Sequence, residues 1–526
     1  MDALASPRET LPRIRLNWRV TPVRLVIWLG ILALAVRVIG IGMRPLWLDE
    51  AYSAWFSAQD WHYLWSVVPT YEPHPPFYCS ILKLWRSALG GGAVALRSLS
   101  VMFGVATVPV IIACVLEQER QEPTGRPNLR AAAAGFFAAC SPMLVLLDQE
   151  ARPYPLLILA YAVATLGVLR LLGEFRSGEA GTLKSWLLLG AGTELALWAH
   201  DLGLLYAACL GLALLPAWLA RPFRRDRLVR GVAVATAVVL SYLPCLLMVL
   251  NRAGDWGTGW LSWKPVMLFQ LVGLYTVPGE ALTAGSIVAA LAMLLLIKRA
   301  LQSALEMRGW NSERALLLLW LGPPFLAAAI SATLIPVFLP RTLGATLVPA
   351  YLALATALAR SPSPRERTML SAAIAITLIP TVVQVATRVP MERWDEVSTF
   401  LEQHVAAGDE VWLYPNDSAL PLGEAGPHRY RERGVPGDYP AVGFKGPIRA
   451  GSPAVVSLTH GQAEAIANDP AARKAPTIWL VTRQSGLFDP NGDLPNALAR
   501  VRRPGPRQEW GYIAVQPYYA AFGTKN

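Results

Sequence analysis

Charge is what the sequence has least of: Asp, Glu, Lys and Arg make up 16% of its 526 residues, while 54% are hydrophobic. Soluble domains carry about 25% charged residues, and disordered chains combine high charge with low apolarity, so neither class fits. The five cysteines, Cys79, Cys114, Cys140, Cys209 and Cys245, are scattered and mostly inside apolar runs, without paired or metal-ligand spacing. That argues against a disulfide framework and a structural zinc site. A Gly-rich phosphate loop, internal repeats and low-complexity tracts are also missing. The net charge of +11 would suit a nucleic-acid binder, but in so apolar a chain the basic residues have another use. No nucleic-acid partner is expected.

What the sequence does have is a succession of apolar runs long enough to cross about 30 Å of hydrocarbon. Eleven are predicted, at 23–43, 93–116, 131–147, 155–172, 185–200, 203–220, 231–250, 281–298, 315–335, 342–359 and 369–386. Two of them, 131–147 and 342–359, are short, and Pro265–Pro278 reads either as interfacial or as entering the membrane. The first run follows Arg8, Arg13, Arg15, Arg19 and Arg24. It is too long for a signal-peptide core and lacks a small-residue cleavage site after it, so it reads as a retained helix.

Loop charge fixes an orientation. With the N-terminus inside, the cytoplasmic segments hold 23 of the 32 Lys and Arg residues before position 387. Acidic residues divide almost evenly, and the positive-inside rule concerns Lys and Arg alone. An odd helix count then places residues 387–526 outside. This tail has 15 basic and 15 acidic residues and alternating signals. Helices are predicted at Glu392–His404 and Gly461–Ala467, and strands at Glu410–Tyr414, Thr477–Thr482 and Tyr512–Gln516, separated by Pro-Asn-Asp, Pro-Gly-Asp and Pro-Asn-Gly turns. The expected fold class is a polytopic α-helical membrane protein with about 11 spans, 1–386, followed by a small extracytoplasmic α/β domain, 387–526.

The first outer loop, about 44–92, gathers unusual residues: Arg44-Pro-Leu-Trp47-Leu-Asp49-Glu50-Ala, then Tyr71-Glu72-Pro73-His74-Pro75-Pro76. Its five tryptophans, Trp47, Trp55, Trp61, Trp65 and Trp85, belong at headgroup level. The loop is therefore predicted to lie on the bilayer as amphipathic segments, with Asp49 and Glu50 at the membrane surface. Topology brings Asp148, Glu150, Arg152, Tyr154, His200, Asp201, Lys264 and Arg341 to the same side. Acids, cations and aromatics meeting at an interface suit an enzyme that joins a lipid-borne phosphate compound to a water-borne acceptor.

Trp47-Leu-Asp49-Glu50-Ala with His74-Pro75-Pro76, Glu150-Ala-Arg152-Pro-Tyr154 and Pro340-Arg341 resembles the GT-C glycosyltransferases. The resemblance points in particular to bacterial relatives of protein O-mannosyltransferase and aminoarabinose transferase, and it spans nearly the whole membrane region. It implies sugar transfer from a polyprenyl-phosphate donor to a lipid, glycan or protein acceptor, usually with inversion, in the bacterial inner membrane. It assigns Asp49 the role of general base, with Glu50 beside it. An Asp with an ordinary pKa near 3.9 is ionised at neutral pH and can take a hydroxyl proton.

Arg152 and Arg341 are candidates to stabilise the departing phosphate through bidentate hydrogen bonds, and Lys264 is a point-charge alternative. Arg44, His74, Tyr154 and His200 are further substrate-site candidates. On a helix Asp49 and Glu50 point about 100° apart, so Glu50 is expected to orient Arg44, bind a cation or hold the loop. Relatives differ in metal use, which leaves a divalent cation between Glu50 and His74 open, though no ligand spacing marks one.

Blander readings stand beside these. Asp49 and Glu50 fit a solvated helix N-terminus, Arg152 and Arg341 fit helix ends snorkelling to headgroups, and Tyr154 and His200 fit interfacial anchors. Arg37, Arg97 and Glu194 lie in apolar runs, where pairing with other polar groups is the alternative to a functional role. The competing whole-protein readings are a lipid or glycan transporter, which would want midplane charges and repeated halves, and a membrane-anchored interaction protein.

Overall fold

The computed structural model describes residues 21–70, 72, 74–220, 224–252, 263–274, 284–306, 309–438 and 458–520. Arg8, Arg13, Arg15 and Arg19, and the second part of the Pro265–Pro278 run, lie outside the described residues.

Among the described residues, each of the eleven apolar ranges overlaps at least one of fourteen α-helices up to Ala386. These are α1 (Pro22–Val38), α2 (Leu48–Ala58), α3 (Phe77–Leu89), α4 (Ala93–Gln121), α5 (Pro127–Cys140), α6 (Pro142–Asp148) and α7 (Tyr154–Arg176). They continue with α8 (Leu183–Ala199), α9 (Gly203–Trp218), α10 (Arg225–Arg252), α11 (Ala284–Glu306), α12 (Ser312–Thr333), α13 (Leu347–Ala359) and α14 (Pro364–Ala386). Among the described residues five helices are long and apolar enough to cross a membrane, or up to six if the bent pair α5–α6 counts as one span. Within Pro340–Ala359 the residues 342–359 are all buried in the bundle, whereas Arg225–Met248 turns most of its surface outward. The start of the Pro265–Pro278 run forms a 3-10 helix, Pro265–Leu274.

Helix ends follow local chemistry. Thr21, Thr182, Asn311 and Ser363 cap α1, α8, α12 and α14 through their side chains, and Pro22 and Pro364 occupy first-turn positions that need no N–H. The predicted run 131–147 is not one helix. Pro142 cannot donate an N–H, so the chain breaks at Ser141, whose side chain caps α6, and the two halves meet at 51°. Arg37 of α1 fills the break: it donates to the carbonyls of Ala138 and Ala139 at 3.1 and 3.0 Å and pairs with Asp148 at 2.6 Å. A buried membrane cation thus satisfies backbone acceptors that the proline leaves open.

Polar contacts separate into two ends of the bundle. At one end Arg126 reaches the Ala359 carbonyl, Arg176 pairs with Glu122, Arg299 with Glu366 and Arg360 with Glu313. At the other end Arg97 pairs with Glu50, Arg341 with Asp49 and Arg388 with Glu150. Loops that the charge pattern assigns to one side of a membrane therefore touch only one another in these pairs.

After Ala386 come α15 (Trp394–His404), β1 (Glu410–Tyr414), α16 (Ala419–Ala425), β2 (Arg431–Gly434), α17 (His460–Ala467) and α18 (Pro470–Lys474). Then follow β3 (Thr477–Arg483), α19 (Ser485–Phe488), α20 (Asp493–Val501), β4 (Arg502–Pro504), β5 (Gln508–Trp510) and β6 (Ile513–Ala520). The sheet runs β2-β1-β3-β6-β4, with β5 also on β6. The β1–β2 and β1–β3 pairs are parallel, and the pairs of β6 are antiparallel. β1 and β3 are buried almost throughout, as central parallel strands are. Helix α16 packs on α2. Helix α2, in the loop between α1 and α4, therefore packs against the sheet-bearing segment.

Candidate active site

Asp49 is in the first turn of α2, and the structure brings two cations to it. Arg341, from the 3-10 turn Pro340–Thr346 leading into α13, places Nη2 3.1 Å from Asp49 Oδ2. Arg152, from the turn between α6 and α7, has Nη2 3.9 Å from the same oxygen and donates through Nη1 to the Asp49 carbonyl at 3.0 Å. Aromatic faces hold both guanidinium groups: Arg341 lies over Trp47 at 5.4 Å and Arg152 over Tyr154 at 5.8 Å. The Asp49 side chain is 21% exposed and those of Arg152 and Arg341 are 10% and 30% exposed, so a ligand can reach the cluster.

Burial pushes the Asp49 carboxyl upward, but Arg341 and Arg152 outweigh it and hold the group below its usual range. Nε of Arg152 and Nε of Arg341 are buried and have no hydrogen-bond partner among the described residues. A buried donor without an acceptor costs about 1–3 kcal/mol. Two such donors flank the Asp49 carboxylate.

A second group adjoins this one. His74 Nδ1 lies 2.5 Å from Glu72 Oε1, and the His74 ring stands edge-on to His200 at 4.7 Å. Burial raises the Glu72 carboxyl, but its hydrogen bond and charge contact with His74 bring it below the usual value. A cavity of about 20 Å³, room for a single water, is lined by Ser53, Glu72, His74, Tyr78, Cys79 and Arg152 among others. His200 Nδ1 accepts the Leu202 N–H at 3.1 Å, so its neutral form carries the proton on Nε2. Burial, followed by the nearby His74 and Arg152, drives His200 well below an ordinary histidine.

Tyr154 and His200 are therefore not interfacial anchors. Both are buried and their rings pack at 5.6 Å, with Tyr154 against Arg152 and His200 against His74.

No protein-family model matches the sequence, and no curated protein matches it. Solved structures do match. ArnT from Cupriavidus metallidurans, bound to undecaprenyl phosphate, aligns with a TM-score of 0.59 at 13% identity, covering 94% of this chain and 97% of that one. The same protein in the apo state gives 0.58 at 13% identity with the same coverage. The archaeal oligosaccharyltransferase AglB from Archaeoglobus fulgidus, in complex with an inhibitory peptide and a dolichol-phosphate, aligns with a TM-score of 0.54 at 12% identity, covering 96% of this chain and 75% of that one. The chain has the GT-C fold.

Within this GT-C fold, Glu50 does not join Asp49. Both of its oxygens are held at 2.7 Å by Arg97, and Oε1 also accepts the Ala151 N–H at 2.9 Å. Arg97 donates further to the carbonyls of Ile41, Arg44 and Pro45. Glu50 thus holds the loop and is not placed as a second reacting carboxylate. With Glu50 given to Arg97 and His74 to Glu72, the two are not arranged as a cation site. Among the described residues no group of three or more His, Cys, Asp or Glu side chains is suited to a metal.

Arg44 is also turned away, donating to Gln149 at 2.8 Å; burial, aided by Arg388 and Arg97, lowers it to about 10. Lys264 is exposed beside Trp263, whose ring packs on Phe338 three residues before Arg341. It stands at the rim, and no ion pair joins it to Asp49 among the described residues. Asp148, expected on the outer face, is drawn inward by Arg37, while Glu150 pairs with Arg388 at 3.1 Å.

Sequence reasoning left other participants unassigned. Glu72 flanks His74 in the quoted motif. Glu392, Asp417 and Arg483 come from beyond the helical bundle: the Leu48 N–H donates to Glu392 at 3.0 Å and the Tyr52 hydroxyl to Asp417 at 3.1 Å. Arg483 reaches Glu392 at 3.1 Å and Asp417 at 4.0 Å. Leu48 and Glu392 lie 344 positions apart and Tyr52 and Asp417 lie 365 apart, so no local signal marks these contacts.

Proposed function

We propose that this chain is an integral-membrane glycosyltransferase. It moves a sugar from a polyprenyl-phosphate donor to an acceptor hydroxyl or other nucleophile on the outer face of the inner membrane, with inversion. The observation that carries the reading is the Asp49 carboxylate between Arg152 and Arg341, each with a buried Nε donor lacking an acceptor. The fold shared with ArnT and AglB, structures that hold undecaprenyl phosphate and a dolichol-phosphate, supports a lipid phosphate as the missing anion.

The chemistry follows from the charges. The acceptor oxygen attacks the anomeric carbon as the bond from that carbon to the phosphate oxygen breaks. The acceptor proton passes to Asp49, and the polyprenyl phosphate leaves with an added negative charge. Arg152 and Arg341 stabilise that charge because it grows as the bond breaks. Before the donor binds, the same arginines hold Asp49 ionised but weakly basic. A donor phosphate competes for their N–H groups and adds negative charge nearby, which raises the basicity of Asp49 when the acceptor arrives. Eleven spans, with residues 387–526 as a separate outer domain, complete the architecture of this reading.

Asp49→Asn keeps the shape and removes the base. Wild-type and variant protein are purified and assayed for transfer from radiolabelled undecaprenyl-phosphate-linked hexoses and pentoses to membranes of a strain lacking the gene. The wild type is expected to turn over one of these donors, and the variant to lose about 10²–10⁴-fold in kcat with unchanged folding. Full activity in the variant overturns the assignment of the base. A wild type that transfers nothing but moves such a lipid across vesicles makes the chain a transporter.

A further inference from the structure

We propose that the C-terminal domain is part of the active site as a positioning device: Glu392 caps the helix that carries Asp49, and Asp417 pins that helix one turn further on. This rests on the assignment of Asp49 above.

The first four N–H groups of a helix have no partner within it, and a polar side chain normally caps them from the residue before the helix. In α2 that residue is Trp47, which makes no side-chain cap. The cap comes from elsewhere. The N–H of Leu48, next to Asp49, donates to Glu392 Oε2 at 3.0 Å, so an anion meets the positive end of the helix. Glu392 is 3% exposed and its own position is set. Trp394 Nε1 donates to Oε2 at 2.9 Å and Arg483 Nη1 to Oε1 at 3.1 Å.

The surrounding backbone is tied to the sheet. Glu392 bridges to Gly511, and the Tyr512 N–H donates to the Met391 carbonyl at 2.7 Å. Arg483 is the last residue of β3. One turn along α2, the Tyr52 hydroxyl donates to Asp417 Oδ2 at 3.1 Å, and Arg483 is 4.0 Å from the same carboxylate. On the opposite side the helix is anchored to the membrane bundle through Glu50 and Arg97. Asp49 is thus placed by two bodies at once. A capping carboxylate 344 positions away in sequence ties the direction of the Asp49 side chain to docking of the tail. Misplacing a reacting group by about 1 Å is enough to cost about 10²-fold in rate.

The test uses the full-length protein with three variants, Glu392→Ala, Glu392→Gln and Tyr52→Phe. Activity is read with the labelled undecaprenyl-phosphate sugar that the wild type turns over. Hydrogen exchange of the 48–58 peptide is followed by mass spectrometry, which needs no substrate. Glu392→Ala is expected to speed exchange in this peptide and to lower kcat at least tenfold, with the donor KM within about threefold of wild type. Glu392→Gln keeps an acceptor oxygen and is expected to recover most of the loss. Tyr52→Phe, which removes one hydroxyl and leaves the core filled, is expected to lower kcat severalfold with native thermal stability.

Unchanged exchange in Glu392→Ala, or unchanged kcat in both Glu392→Ala and Tyr52→Phe, overturns the proposal. If Glu392→Ala does not fold, Glu392→Gln and Tyr52→Phe decide between the same outcomes. Asp49→Asn separates the two layers. An active Asp49→Asn removes the general-base reading, whereas an inactive Asp49→Asn beside fully active Glu392→Ala and Tyr52→Phe removes only the positioning role.

Discussion

Asp49 is held by two arginines of unequal reach, and this makes substitution at Arg341 informative. Its Nη2 is the closest cation to the carboxylate, and its flat guanidinium is braced against Trp47. A lysine keeps the charge but loses the planar fork and the stacking. Arg341→Lys is therefore expected to lower kcat by about 10²-fold, as loss of one transition-state donor does, while the protein still folds; kcat near wild type would remove Arg341 from the leaving-group role. The pH dependence follows from the same contacts. Asp49 lies below its ordinary value in the folded protein, so its ion pairs contribute stability above the unfolded pKa near 3.9, and that stability is lost only as pH falls through the still lower folded value. Neither Asp49 nor His200, which is also driven down, is expected to put an inflection in kcat/KM between about pH 5 and 8. Replacing His200 with Gln should leave the shape of that profile unchanged, and a titration near pH 6.5 that vanishes in this variant would contradict the burial argument. Asp49 and Arg152 were legible because each sits in a short run of acids, cations and aromatics that topology sends to one side, and Arg341 because it is a lone cation after Phe338-Leu339-Pro340 on that same side. The turn of Glu50 away from Asp49 was half legible: helix geometry separates the two, but only packing shows that Arg97 receives Glu50.

Helix α6 and its neighbours show where apolar pattern reading stops. Hydropathy treats 131–147 as one run, since proline and serine barely lower its average, yet Ser141 and Pro142 start a new helix there. The compensating group, Arg37, belongs to another helix, so a scan of one segment cannot find it. Gly104 of α4 belongs to the same arrangement. A Cβ built on it would lie 2.1 Å from Asp148 Oδ2, and Asp148 cannot swing away without leaving Arg37 unpaired inside the bundle. Gly104→Ala is expected to destabilise the bundle by about 1–3 kcal/mol through overpacking, seen as a lower midpoint in a thermal or denaturant transition of the detergent-solubilised protein; an unchanged midpoint would mean that the α4–α6 contact yields freely. In the tail, β1 and β3 could be read directly because they are short apolar runs between turn signals. β2, β4 and β5, with sequences Arg431–Gly434, Arg502–Pro504 and Gln508–Trp510, are edge strands or short hairpin arms. Their polar residues carry no alternating pattern, and pairing with a neighbour is what makes them strands.

The polar pairs of the bundle sort into two ends, and the sequence supplies what the geometry lacks, the direction. The end bearing Arg126, Arg176, Arg299 and Arg360 joins the segments that hold 23 of the 32 basic residues before position 387, which the positive-inside rule places in the cytoplasm. The opposite end carries Asp49 and the sheet. Counting long apolar helices does not decide this, because α1, α8 and α9 have 17, 17 and 16 residues, just short of a full straight span, and α5–α6 is bent. The bent pair is the sensitive point: if it did not cross, every later loop would change sides and the tail would face the cytoplasm. Its contacts argue that it crosses, since Arg126 before α5 binds the Ala359 carbonyl at one end and Asp148 to Arg152 after α6 meet the Asp49 end. Alkaline phosphatase fused after Ala520 is therefore expected to be active, and green fluorescent protein at the same position to be dark in a bacterial host. Fusions after Arg314 or Arg367 are expected to behave in reverse. A fluorescent tail fusion with an active phosphatase after Arg367 would invert the molecule, put Asp49 in the cytoplasm and end the case for a donor used on the outer face.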